Sequence, residues 1–528
     1  MTLYNFPESL QDIPDDIRKA FVEKWQEPFG TGRTNDNFAE GSFKYVCSDC
    51  KSFQKAIEPK YKIIIGRRGS GKTALVKFIK IFSNYDFKII CQKDELVRWI
   101  KNKIRNVSDD IPVETYKREC ENFFWNLIFQ EISKDDEYEA INIFLRRGKK
   151  IIEKIWFGII NWAEKNQASK SWVQGIIANI FVQFTVEDNE KFEKAKDEAK
   201  QTLKNKRVII LIDNIEEYEF ESENLKKIFS AILLATVAFD NQGPFTVKCF
   251  FPSEYYSNLK KYAVNWGKIS GSITFLRWTK EELLVMLCKR LAFFLYCNNQ
   301  LNIQTLDIFN DYSYSYNFWK KYFPETVTNK VFNVDESSII YVLRHTQMSP
   351  RQAIRICNKI SSDAQDFFKS PNSTEKTIGK SIEEEEKNLS IEVFTAFKDI
   401  YPNAEYFCDE YLKELTMGFK IDELKKLHNQ IASSVKSNEQ TQYDRYRDFR
   451  TFLRMLCELG IVGKRDVDNL NHPKYCVAIF EPNEDYEMSV GADEYVYVHP
   501  MFIRKVRFPF RRNKCRKPIC SNLLINNN

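Results

Sequence analysis

Gly66-Arg67-Arg68-Gly69-Ser70-Gly71-Lys72-Thr73 satisfies every fixed position of G-x-x-x-x-G-K-[ST], directly after Ile63-Ile64-Ile65, an apolar run that reads as a buried strand. The chemistry this spacing serves is the binding of phosphate. Glycines let successive backbone N–H groups curl inward toward an anion. Lys72 brings a mobile positive charge to β- and γ-phosphates, and the hydroxyl of Thr73 suits Mg²⁺. Ala74–Lys80 reads as a helix whose positive N-terminal dipole faces the same anion. The expected phosphate-binding residues are Gly66, Arg67, Arg68, Gly69, Ser70, Gly71, Lys72, Thr73 and Ala74, and the ligand class is a nucleoside triphosphate such as ATP with Mg²⁺.

A second landmark is Arg207-Val208-Ile209-Ile210-Leu211-Ile212-Asp213, a continuous apolar run ending in an acid, as a fully buried parallel strand reads. α/β sheets hold ligands at the carboxyl ends of their strands, so Asp213 is the second candidate for organising Mg²⁺, through water, opposite Thr73. Hydrolysis needs a group that orients water beside the γ-phosphate. The residue after Asp213 is Asn214, an amide that cannot take a proton. Glu216 is the preferred candidate and Glu217 the next acid; both equally fit surface acids opening a helix. Ser253, after the strand Phe245–Phe251, is a weak candidate for sensing the γ-phosphate. Arg351 either reaches that phosphate from a lid or caps a carboxylate; Arg67 and Arg68 face phosphate, a partner subunit or an acidic neighbour. The four histidines (His345, His428, His472, His499) have neither metal spacing nor a nucleophile beside them and read as structural.

Basic residues concentrate toward the C-terminus. Arg447, Arg450 and Arg454 fall on one face of a helix predicted over Asp444–Gly460. From Met501 to Cys520 the chain carries Arg504, Lys505, Arg507, Arg511, Arg512, Lys514, Arg516 and Lys517 with no acid, interleaved with Phe502, Phe508 and Phe510. Such a segment attracts nucleic-acid phosphates; a solvated basic tail is the plainer reading. Cys47-Ser48-Asp49-Cys50 with Cys515 and Cys520 would make a zinc site only if four distant residues met, and buried thiols are preferred.

The elements that must position these residues follow from length and pattern. A chain of 528 residues with 43% hydrophobic and 29% charged residues is a globular protein of several domains, and its net charge of +6 names no partner by itself. Residues 1–55 read as an N-terminal arm with a helix around Asp16–Gln26, and 56–278 as the nucleotide-binding α/β domain, with strands Phe87–Cys91 and Ile273–Trp278 besides those above. A large helical insertion lies at about 94–203, with Glu190–Lys206 a solvated helix. Residues 279–370 read as a helical lid opened by the capping box Thr279-Lys280-Glu281-Glu282, with a second box at Ser349-Pro350-Arg351-Gln352. The polar stretch 371–389 reads as a linker, 390–505 as helices followed by a small β-hairpin with its tip at Asn483–Ala492, and 506–528 as a basic tail.

Met1–Asp16 lacks the apolar stretch of a signal peptide, and Ser171–Val186 is short and polar for a membrane span. The odd count of 13 cysteines, scattered through core segments, fits a reducing cytoplasm.

In this order, the motifs Ile65–Leu75, Leu211–Glu216, Trp278–Leu291 and Ser349-Pro350-Arg351-Gln352-Ala353-Ile354-Arg355-Ile356-Cys357-Asn358 resemble bacterial P-loop ATPases of the AAA+/STAND/KAP grouping with a C-terminal winged helix. The last motif looks like the Pro-Arg lid motif of KAP-type and origin-recognition-type ATPases. The resemblance covers about 60–370 well and 390–505 more loosely. It implies a P-loop parallel sheet with a lid and a winged-helix domain, ATP and Mg²⁺ binding, assembly into homo-oligomers or with partner proteins, and roles in DNA transactions or defence against mobile DNA. Asn214 replaces an acid common in those proteins, and the strand ending at Phe251 lacks an arginine many carry after it, so binding is implied more firmly than hydrolysis. The expected function is an ATP-driven switch coupling nucleotide state to DNA or partner binding. A nucleotide-gated scaffold without turnover is the alternative; a small-molecule kinase would not need so long a chain.

Overall fold

A computed structural model of the chain describes residues 10, 13, 15–31, 50–91, 112–132, 186–213, 223–256, 260, 265–330, 332–434, 448–480, 491, 493–505 and 517–525. In chain order its elements begin α1 (Asp15–Lys24), α2 (Lys51–Ile57), β1 (Ile63–Gly66), α3 (Lys72–Phe82), β2 (Phe87–Cys91), α4 (Val113–Ile132), α5 (Val186–Thr202), β3 (Val208–Ile212), α6 (Glu223–Ala238), β4 (Phe245–Pro252), α7 (Trp266–Ser270) and β5 (Ile273–Phe275). They continue with α8 (Lys280–Cys297), α9 (Tyr312–Trp319), β6 (Thr326–Asn329), β7 (Val334–Ser337), α10 (Ser338–Leu343), α11 (Pro350–Asp363), α12 (Pro371–Ala396), α13 (Ala404–Leu412), β8 (Gly418–Lys420), α14 (Ile421–Ser434), α15 (Phe449–Glu458), β9 (Val462–Arg465), β10 (Cys476–Ile479), β11 (Tyr495–Val498) and β12 (Ile519–Ser521). Two compact units result: Lys55–Ile65 with Phe82–Thr274, and Asn5–Gln54 with Gly66–Ile81 and Phe275–Asn528.

The first unit is built on a five-stranded parallel sheet of order β2-β3-β4-β1-β5. Strand β3 is apolar throughout because both faces are covered: each of its residues is buried. In register, Ile212 stands opposite Cys91 on one side and Cys249 on the other, so Asp213 leaves the sheet at its carboxyl edge. An aromatic cluster joins α4 to β4, with Trp125 packed edge-on against Phe245 at 5.0 Å and Phe124 against Phe239 at 5.3 Å. Lys248 is fully buried in β4, and its ammonium donates to the carbonyls of Ala56, Glu58 and Tyr61 at 2.6–2.9 Å. Burial brings its pKa down to about 7 despite those acceptors. Strands β2 and β3 match the expected ranges; β5 ends at Phe275, three residues before the expected Trp278.

In the second unit α8 carries the expected capping box, Thr279 accepting from the Glu282 amide and Glu282 from the Thr279 amide. The second expected box does not form. Ser349 is the N-cap of α11, but Gln352 Oε1 accepts instead from the amide of Gln347 at 2.7 Å, the nearer unsatisfied donor. The polar stretch 371–389 is likewise not a linker: it makes up most of the 26-residue helix α12. Ile378, Ile382, Leu389 and Val393 recur at helical spacing and are buried, while acids of the stretch are paired, Glu384 with Lys359 at 2.8 Å and Glu386 with Arg504 at 3.1 Å. Within the expected N-terminal arm, the helix expected around Asp16–Gln26 forms as α1, and residues 15–31 are packed onto α8 and α11. Trp25 and Phe29 are buried, Arg290 stacks on Trp25 at 4.8 Å and donates to the Phe29 carbonyl, and Asn358 holds both Glu27 and the Phe29 amide.

Toward the C-terminus α13, α14 and α15 accompany a sheet of order β12-β10-β9-β11-β8, antiparallel except for the β10–β12 pair. Its core includes Met417, Ala478, Phe480, Tyr497 and Ile519. The hairpin tip expected at Asn483–Ala492 lies mostly outside the described residues, as does Ser171–Thr185. Among the described residues no helix is long and apolar enough to cross a membrane.

Candidate functional site

The phosphate loop turns because two of its glycines adopt backbone that other residues avoid: Gly69 has φ +82° and Gly71 has φ +99°. A Cβ on Gly66 would meet Ser70 Oγ at 2.4 Å, so the first glycine is required by space. The loop is supported from below by aromatic residues that the motif does not announce. Trp278 Nε1 donates to the Ser70 carbonyl at 2.8 Å, and the Trp278 and Phe53 rings, 5.6 Å apart and edge-to-face, flank Gly71. Helix α2, which carries Phe53, is tied to the start of α8 by Lys51 N donating to Glu282 and by reciprocal bonds between Ser52 and Arg277. Phe53 went unnoticed in the sequence and Trp278 was read as a strand end and the start of a helical motif, because aromatic residues far apart in sequence carry no signal that they meet under one loop.

Lys72 opens α3 and is buried, its Nζ donating to the carbonyls of Gly66 at 2.8 Å and Arg67 at 3.1 Å. The ammonium is thus already folded into the concavity. Thr73 and Ala74 follow in the first turn of α3, both partly exposed. Ser70 Oγ is buried with no hydrogen-bond partner among the described residues, an orphan hydroxyl of the kind a phosphate oxygen would satisfy. The donor set and the glycine cradle fit a nucleotide phosphate chain.

Above the loop sits the N-terminus of α11. Arg351 N lies 3.4 Å from the Gly69 carbonyl, and a Cβ on Gly69 would meet Ser349 Oγ at 2.8 Å and Arg351 Cβ at 2.9 Å. Gly69→Ala combines this crowding with an unfavourable φ, so we expect it to cost about 1–3 kcal/mol of stability and to weaken nucleotide binding; a urea titration and a nucleotide titration check both. Of the two readings of Arg351, the structure shows the carboxylate partner: its guanidinium pairs with Glu392 of α12 at 3.2 Å. Arg355, one turn on, shares that carboxylate and also pairs with Glu385. Two carboxylates of α12 at hand explain this outcome.

Arg67 reaches the end of α15. Its Nη2 donates to the backbone carbonyl of Glu458 at the end of α15, at 3.2 Å. Arg68 is half-buried. Asp213 is buried directly after β3, where its charge adds to burial in raising the Cys249 thiol pKa. Asn214, Glu216 and Glu217 lie outside the described residues. Ser253 opens a short turn after β4, followed by the buried Glu254.

The nucleic-acid candidates separate. Arg450 and Arg454 are exposed one turn apart on α15, which begins at Phe449 with Asp448 as its N-cap, not at Asp444. Arg504 and Lys505 do not form part of a free basic stripe: Arg504 pairs with Glu383 and with Glu386 at 3.1 Å, and Lys505 with Asp409 at 2.6 Å and Glu405 at 3.4 Å. The acids come from α12 and α13, too distant in sequence to be read with the tail. Arg447, Arg511 and Arg512 lie outside the described residues.

The histidines are structural. His345 contacts Glu386 in the interior, and His428 stacks on Tyr411 at 5.6 Å. His472 Nδ1 accepts from the amides of Lys474 and Tyr475. His499 is buried beside Phe480 and accepts from the Met501 amide. Burial, reinforced by the Arg67 guanidinium, pushes its pKa down to about 3. The neutral ring therefore favours the fold fully above the ordinary histidine pKa, and that contribution is lost as pH falls from about 6.5 toward 3. We expect unfolding midpoints in urea to fall across this window, and His499→Gln to flatten the slope by up to one proton. His345, whose pKa is also lowered by burial, acts in the same direction.

Ten described cysteines are free and buried, among them Cys50 and Cys520. Cys476 is disulfide-bonded, against the expectation of thiols throughout, and Cys47 and Cys515 lie outside the described residues. Among the described residues no group of His, Cys, Asp or Glu is placed to hold a metal ion by itself. No protein-family model matches this chain, and no curated protein matches it.

Proposed function

We propose that the protein binds a nucleoside triphosphate, ATP with Mg²⁺, on the loop Gly66–Thr73 and uses the nucleotide state to control the C-terminal domain. The observation that supports this most is the loop itself: glycines at φ +82° and +99°, an orphan buried hydroxyl, and a lysine whose ammonium is already turned into the concavity. The parallel sheet supports it further, since β1 and β3 both deliver their carboxyl ends to one edge, the edge at which α/β sheets hold ligands. When bound, Mg²⁺ supplies charge neutralisation between β- and γ-phosphate oxygens. Thr73 would hold it; Asp213, at the carboxyl end of β3, is the candidate that the sequence offers for a second contact through water. Lys72 would bind the terminal phosphates, and the loop amides would hold the chain in place. Glu216 is the candidate for orienting water.

The C-terminal domain fits a winged helix: three helices, α13 to α15, with a small antiparallel sheet in which β11 lies between β8 and β9. DNA binding rests on Arg450 and Arg454 and on the candidates outside the described residues, because Arg504 and Lys505 already have acidic partners. That neutralisation favours the scaffold alternative more than composition does: a nucleotide-gated surface for a protein partner or a second copy of the chain. ATP turnover measured with and without DNA separates the readings. A rate that exceeds Lys72→Ala and rises with DNA supports the switch; a rate equal to that variant under both conditions leaves the scaffold.

A further inference from the structure

Arg67 occupies a position in the phosphate loop that the motif leaves open, yet its two ends are tied to different things. Its carbonyl accepts from Lys72 Nζ at 3.1 Å, and its guanidinium donates to the Glu458 carbonyl at 3.2 Å. Glu458 is the last residue of α15, and helix ends leave carbonyls in want of donors, with the negative end of the dipole beside them. A second side chain caps the same turn: Gln347 Nε2, from the segment before α11, donates to the Leu459 carbonyl at 2.7 Å. The chain then reverses at Gly460, φ +69°, where a Cβ would meet Gln347 Nε2 at 2.8 Å and the Arg67 guanidinium nitrogens at 3.1 and 3.2 Å. The last turn of α15 is therefore closed by a residue of the loop, against a left-handed reversal that favours glycine.

We propose that Arg67 is a positioning residue that makes the C-terminal turn of α15 respond to occupancy of the phosphate loop. The proposal rests on the nucleotide-binding reading above. A phosphate chain draws Lys72 away from the Arg67 carbonyl, because charge-assisted bonds are stronger than those to a neutral carbonyl. The same phosphates compete with the Glu458 carbonyl for the guanidinium. Filling the loop thus uncaps the end of α15, the helix that carries Arg450 and Arg454 on its exposed face. By linkage, whatever holds that turn closed weakens nucleotide binding by the same factor.

Hydrogen exchange of the full-length chain tests this at the amides of Leu459, Gly460 and Ile461, which donate to Met455, Cys457 and Leu456 in the closed turn. Nucleotide occupancy is measured in parallel with a fluorescent ATP analogue and Mg²⁺. In the wild type we expect saturating analogue to raise exchange there by about threefold or more. Arg67→Ala, titrated with the analogue to its own saturation, should show raised exchange without the analogue and no further rise with it. Gln347→Ala, which removes the other cap and leaves Arg67 in place, should raise the basal exchange yet keep the response. Binding by the wild type with no change at these amides would overturn the proposal and leave the nucleotide reading standing, as would a full response in Arg67→Ala. Failure of the wild type to bind the analogue at all would overturn both.

Discussion

Lys72→Ala is expected to weaken ATP binding by about ten- to a hundredfold or more, the loss of a charge-assisted bond of about 1.5–3 kcal/mol to the terminal phosphates. The structure makes this a clean substitution. The lysine's partners include two loop carbonyls, Gly66 and Arg67, and alanine in its place keeps a good helix former at the start of the helix. The variant should therefore unfold at nearly the wild-type urea midpoint while losing the stabilisation that added ATP confers on the wild type. A fluorescent-nucleotide titration reads the first quantity, and thermal shifts with and without ATP read the second. Equal shifts in both proteins would place the nucleotide elsewhere or nowhere.

The second large effect is on folding alone. Arg344 and Glu336 are both buried, with Nε 3.0 Å from Oε2, and the other carboxylate oxygen accepts from Asn329 at 2.7 Å. The Nε–Oε2 approach is that of an ion pair and lacks the alignment of a hydrogen bond. Truncating one partner strands the other's charge in the interior, which costs about 3–5 kcal/mol. Arg344→Ala should accordingly lower the unfolding midpoint steeply. The double variant Arg344→Met, Glu336→Gln removes both charges and should recover at least half of the loss, because the penalty lies in the unpaired charge. Chemical denaturation of the two variants decides it; equal losses would show that packing of the arginine stem, not charge, was at stake.

Features set by local chemistry could be read from the sequence. Strand β3 was legible as an unbroken apolar run, β2 as a short apolar run interrupted only by Lys88, the glycine loop as a fixed spacing, and the Thr279 box as residues three apart that satisfy each other's amides. Features set by distant partners were not. The acids of α12 looked like a solvated linker because the bases that neutralise them, Arg355, Lys359 and Arg504, lie in other helices or near the C-terminus. For Arg351 a carboxylate partner was one of two open readings, and which acid it would be, Glu392, could not be read from spacing. The partner of Arg67 is 391 residues away and is a backbone carbonyl, which no side-chain pattern announces. Gln352 fails to close its box for the same kind of reason: the Gln347 amide, outside the motif, takes its oxygen.

Calorimetric titration of the full-length chain with ATP and Mg²⁺ tests the central claim most directly. The account predicts one saturable site per chain in the wild type, with little or no heat from Lys72→Ala at the same concentrations. Absence of binding by the wild type at millimolar ATP, or undiminished binding by Lys72→Ala, would contradict it.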